Sequence, residues 1–150
     1  MAALAATLRE HRLVGLDTAV FIYHIEGSPR FAGPAGIVFA ELNRGTFQGL
    51  TSVLTLMELA VKPLQLGRQD IADEYEVVLA AYPHLRVVPL DRGTARRAAE
   101  LRASSRLRPA DVFQVAACLQ HRATAFVTND RDLRRVTGLQ VILLEDFVAG

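Results

Sequence analysis

The chain of 150 residues is long enough for one complete hydrophobic core and too short for two comfortable domains. It is 51% hydrophobic and 22% charged with a formal net charge of +1, an ordinary globular balance that excludes a uniformly basic nucleic-acid sponge. No apolar run approaches the roughly 20 residues needed to cross a bilayer, the first ten residues do not read as a secretion signal, and the lone Cys118 cannot form an internal disulfide. A reducing cytoplasm fits these features, with Cys118 a buried, inert thiol inside the apolar run VFQVAACL.

The predicted elements alternate between strand and helix. Leu13 to Leu16 is a short apolar strand, and Asp17-Thr18 is suited to end it and begin a helix. A helix is expected from about Gly33 to Arg44, with Pro34 in its first turn, then a strand over Gly49 to Ser52. Val53 to Val61 reads as a helix stopped by Pro63, and Gln69 to Ala81 as another. Leu85 to Leu90 is a third strand, and Asp91 the cap of a helix over Thr94 to Ser104. Pro109 opens a helix through Gln120. A strand over Ala125 to Val127, a short helix over Asp130 to Arg135 and a strand over Leu139 to Leu143 complete the series. Short apolar strands separated by helices predict an α/β fold, a mostly parallel five-stranded sheet sandwiched between helices. The functional crevice of such a sheet lies beyond the carboxyl ends of its strands.

Four acids point to that rim. Asp17 follows the first strand and Asp130 the fourth, while Asp111 lies in the first turn of the helix leading into the fourth. Glu58 is the only charged group in VLTLMELAV, and a buried lone carboxylate costs several kcal/mol or more unless paired or bound to a cation. Each has a structural alternative: Asp17 and Asp130 as helix caps, Asp111 as a dipole partner, Glu58 on an exposed edge. Together, with no nearby lysine, they form a cluster that calls for a divalent cation. Ligands that are all oxygen point to magnesium or manganese.

In LVGLDTAVFIY, SVLTLMELA, RPADVFQVAA and FVTNDRDL the chain resembles, in order and spacing, the four motifs of the PIN-domain nucleases. More narrowly it is similar to the toxin component of VapBC-type toxin–antitoxin pairs, over residues 13–147. The resemblance implies one PIN domain across residues 1–150, with residues 1–12 an extra N-terminal segment. That segment is either a wrongly assigned start or a helix for dimer or antitoxin contact. It implies Asp17, Glu58, Asp111 and Asp130 as the catalytic, metal-binding quartet, with Asp132 a fifth metal carboxylate. Thr18, Ser52 and Thr128 fall where small hydroxyls support that cluster. One residue separates Pro109 from Asp111 where many relatives have none.

The implied reaction is hydrolysis of RNA phosphodiester bonds with one or two Mg2+ or Mn2+ ions. Glu58 would hold a ligand water or act as general base. The implied partners are an RNA substrate, a cognate antitoxin and a second copy of the chain. Of 17 basic residues only Lys62 is lysine, and the arginines thicken between Arg86 and Arg108, where they would grip phosphates, although a genome rich in G and C explains arginine equally well. His11, His24, His84 and His121 stand apart without zinc spacing, and no GxxxxGK[ST] loop or GxSxG elbow occurs. Two alternatives remain: a catalytically idle PIN fold that binds RNA or protein, and a receiver-type phosphorylated domain. The receiver would need an acidic pair at the first strand and a late lysine, and the sequence has neither.

Overall fold

The computed structural model describes residues 2–148, and in it five short stretches form β1 (Leu13–Leu16), β2 (Gln48–Ser52), β3 (Leu85–Val88), β4 (Ala125–Thr128) and β5 (Gln140–Leu143). They make one sheet in the order β3-β2-β1-β4-β5. Every adjacent pair is parallel, so the sheet is wholly rather than mostly parallel. Helices α1 (Ala2–Arg9), α2 (Thr18–Glu26), α3 (Ala32–Arg44), α4 (Val53–Gln65), α5 (Gln69–Ala81), α6 (Arg92–Ser104) and α7 (Pro109–Gln120) surround it. Two 3-10 turns, Arg131–Arg135 and Leu144–Phe147, flank β5.

Side chains alternate across each strand, and the core divides accordingly. Val14, Leu16, Ala125 and Val127 join one buried cluster with Phe21, Phe39 and Leu42. Leu50 and Phe126 face the other way, among Val112, Val115, Ala116 and Cys118 of α7. Both faces of the sheet are covered, as a doubly wound fold requires. Gly15 on β1 meets the second face, and a Cβ built there would stand 2.2 Å from the Cys118 sulfur. Only hydrogen fits between this strand and α7.

Several boundaries moved. α4 does not stop before Pro63 but runs on to Gln65 with Pro63 inside it. Proline removes a single N–H bond there, in the final turn, and its ring is buried, so the helix carries the loss. β3 ends at Val88 rather than Leu90, and α6 begins at Arg92, with Asp91 capping it by accepting from the Thr94 amide at 2.9 Å. The stretch expected as a helix over Asp130 to Arg135 is a 3-10 turn beginning at Arg131.

The N-terminal segment folds as α1 and packs on α3. Leu4 and Leu8 are fully buried in the first cluster. Arg9 reaches the buried Glu41 with two hydrogen bonds of 3.0 Å, and Arg44 and Thr46 also bond that carboxylate. The apolar face of α1 is therefore spent on the chain's own core. No described helix is long and apolar enough to cross a membrane.

Candidate active site

β1 and β4 are neighbours at the middle of the sheet, and both run out at the same rim. The Asp17 amide still donates to the Val127 carbonyl at 3.0 Å, so the residue after β1 stays registered against β4. Its carboxylate is held at both oxygens. Oδ1 accepts from the Thr18 amide at 2.8 Å, capping α2, and Oδ2 accepts from the Thr128 hydroxyl at 2.6 Å. Thr128 in turn accepts from the Asp130 amide at 3.2 Å. Asp130 caps the following 3-10 turn, its Oδ1 accepting from the Asp132 amide at 2.9 Å.

Asp111, in the first turn of α7, faces the same space. Asp17, Asp111, Asp130 and Asp132 line one cavity of about 730 Å3, together with Tyr23, Arg106 and Arg108. Asp132 is exposed at its edge. The cap roles weighed for Asp17 and Asp130 are real, and each still turns carboxylate toward the cavity.

Glu58 is placed differently. It lines a neighbouring apolar groove of about 320 Å3 with Ile22, Ile25, Lys62 and Tyr75, not the cavity of the aspartates. Its partner is the hydroxyl of Thr18, one of the expected supporting residues, which donates to Glu58 Oε1 at 2.8 Å. Asp17 and Glu58 are thus both tied to Thr18, the first accepting from its amide and the second from its hydroxyl.

Burial outweighs the two hydrogen bonds on Asp17 and pushes its pKa up to about 6, with the charges of Asp111 and Glu58 adding to the effect. Asp111 is also raised, first by burial and then by Asp130, against the pull of Arg108. In both, burial is the largest cause of the rise.

Beneath them lies a buried polar network of which sequence reasoning named only Thr18 and Ser52. Gln114 accepts from the Ser52 hydroxyl at 2.7 Å and donates to Thr55 at 3.0 Å and Thr18 at 3.4 Å. Thr51 contacts Thr55 at 2.8 Å and donates to the Leu16 carbonyl at 3.0 Å. The signal was present: Thr51 and Thr55 lie four apart, and Gln114 follows Asp111 by one helical turn. Of the three expected supporting hydroxyls, Thr128 touches Asp17 and Thr18 touches Glu58, whereas Ser52 acts only through Gln114.

Among the described residues, no three acidic, histidine or cysteine side chains stand close enough as placed to hold one ion together. The donor set nevertheless fits a hard divalent cation, being carboxylate oxygen throughout. A cation is in fact already there. Arg108 Nε donates to Asp111 Oδ2 at 3.2 Å, and its Nη2 stands 3.7 Å from Asp130 Oδ2.

The family model of the PIN domain matches residues 14–139. The chain belongs to the PIN domain family. Among solved structures, the chain is similar to a chain of a toxin–antitoxin complex from Klebsiella pneumoniae, at 20% identity and a TM-score of 0.66, covering 87% of this chain and 97% of that one. DNA-bound VapBC from Salmonella typhimurium matches at 22% identity and 0.65, covering 89% and 98%. FitAcB from Neisseria gonorrhoeae matches at 19% and 0.66, covering 88% and 98%. At these identities the likeness is one of fold. Comparison with curated proteins gives no significant match.

Proposed function

We propose that this PIN domain is a divalent-metal-dependent endoribonuclease, the toxin of a type II toxin–antitoxin pair acting in the cytoplasm. The observation that carries the reading is the meeting of Asp17, Asp111 and Asp130 in one cavity at the carboxyl rim of a PIN sheet. Asp17, Asp111 and Asp130 hold magnesium or manganese, Asp132 adds a carboxylate from the edge, and Glu58 acts from the far side of Thr18. Bound there, such an ion would lower the pKa of a water and offset charge developing on the phosphate. The chain's own part is to keep the acids in place: Thr128 fixes Asp17, the Asp132 amide fixes Asp130, and Thr18 fixes Glu58. Arg106 at the cavity wall is positioned to meet an RNA phosphate. A cognate antitoxin and a second copy of the chain are the proposed protein partners, a reading supported by the toxin–antitoxin complexes that share the fold.

Cleavage of a defined single-stranded RNA decides the matter. The purified protein should cut with Mg2+ or Mn2+ and stop in excess chelator, and Asp17→Asn should not cut. Undiminished cutting in chelator removes the metal mechanism. RNA binding without cutting in any divalent ion identifies an idle binding module instead.

A further inference from the structure

Arg108 is misplaced by ordinary helix electrostatics. It occupies the cap position before Pro109 and makes no capping bond, so its positive charge sits at the positive end of α7. What holds it there is the acidic pair. Its Nε lies 3.2 Å from Asp111 and its Nη2 3.7 Å from Asp130. The burial is one-sided: the arginine side chain is 79% exposed, against 14% for Asp111 and 26% for Asp130. The guanidinium is laid onto the carboxylates from solvent and can leave without opening the core. Arg106, two residues earlier, lines the same cavity but forms no ion pair among the described residues.

We propose that Arg108 is a stored phosphate-binding arginine: its guanidinium neutralises Asp111 and Asp130 until a divalent cation takes those carboxylates, and then turns to the substrate phosphate. The inference rests on the metal-dependent reading above. A divalent ion at these carboxylates competes with the guanidinium for the Oδ2 atoms of Asp111 and Asp130. Once displaced, the arginine remains tethered beside the cavity, and its planar fork suits a phosphodiester oxygen pair. The pair therefore couples filling of the metal seat to exposure of a substrate-binding charge, with no change in backbone required.

Mn2+ binding followed by electron paramagnetic resonance tests the storage half without any reaction. Removing the internal competitor in Arg108→Ala should tighten Mn2+ binding by roughly threefold to fivefold, the equivalent of an exposed ion pair near the top of its usual range. Arg106→Ala, which removes a neighbouring charge but no ion pair, should change it by less than about twofold because exposed charges are screened. Equal affinity in wild type and Arg108→Ala overturns storage, as does an equal gain in Arg106→Ala. Steady-state cleavage at saturating Mn2+ tests the other half. Arg108→Ala should raise KM for RNA several-fold while kcat changes less, and should lower the slope of log affinity against log salt by about one. An unchanged KM and slope overturn the phosphate role. If no protein binds Mn2+, the metal reading itself falls and takes this inference with it, whereas equal binding strikes this inference alone.

Discussion

Thr128, the last residue of β4, donates its hydroxyl to Asp17, the first residue after β1, at 2.6 Å. The two central strands are thereby tied at the point where both end. The bond fixes the Asp17 rotamer, and each carboxylate oxygen keeps a further lone pair for another partner.

Asp17 also carries a pH signature. Its pKa rises from 3.8 to about 6 in the folded protein, so the folded state binds that proton more tightly than the unfolded one. Between about pH 4 and pH 6 this group therefore costs stability as pH rises, and the cost persists at neutral pH. The shift corresponds to at most about 3 kcal/mol. Asn keeps the cap oxygen without the charge. Metal-free Asp17→Asn should match or exceed wild type in urea melts at pH 7, and its advantage should shrink toward pH 4. A variant more than about 1 kcal/mol less stable at pH 7 would mean that the charge itself caps α2.

Asp111 is raised as well, despite Arg108 beside it. Asp111→Asn should abolish cleavage while leaving the metal-free protein equally or more stable. Mg2+ should raise the melting temperature of wild type by mass action and do so much less for the variant. A destabilised variant that still cuts RNA makes Asp111 a helix-dipole residue.

Among the described residues, Thr18 is the only hydroxyl bonded to Glu58, and it also meets Thr55 and Gln114. Thr18→Val keeps the shape and removes these bonds, which should cost about 1 to 3 kcal/mol. If Glu58 takes part in the reaction, kcat should fall by at least about tenfold, roughly the scale of one positioned acid–base group. Cleavage per folded molecule equal to wild type, checked against a melt of the same sample, confines Thr18 and Glu58 to structure.

Leu8 on α1 is fully buried. Leu8→Ala should cost about 2 to 5 kcal/mol, and Met57→Ala, at a side chain 50% exposed, under about 1. Denaturant midpoints compare them directly. Similar small losses would make α1 an appendage to the core.

The arginines of α6 and the following loop divide by contact. Arg96 pairs with Glu100 at 3.4 Å, Arg102 donates to the Leu107 carbonyl, and Arg106 lines the acidic cavity. Arg106→Ala should weaken RNA binding and lower the salt slope by about one, while Arg97→Ala should leave both nearly unchanged. A reversed ranking would move the RNA path onto the outer face of α6.

The elements and the parallel sandwich were legible because each strand is a short apolar run bounded by turn residues, and because Asp91 and Asp17 announce the caps they form. Asp17, Asp111 and Asp130 were legible for a related reason: their positions in the chain alone put them at one rim. Glu58 was recognised as anomalous, but period and composition do not say which side of α2 a carboxylate on α4 faces. The role of α1 escaped because two leucines four apart in an eight-residue helix fit a partner surface as well as a core. Arg108 escaped because an ion pair depends on a side-chain direction that no sequence pattern carries.

The contact between Gly15 and Cys118 has a consequence for experiment. With the sulfur against the central strand and 1% exposed, burial pushes the thiol's pKa far up, and no reagent can approach it in the closed fold. Alkylation then requires that α7 lift from β1, so the rate of labelling counts those openings directly. As the chain's only cysteine, Cys118 is a built-in single-site clock for opening of the core, on the same helix that presents Asp111 to the crevice.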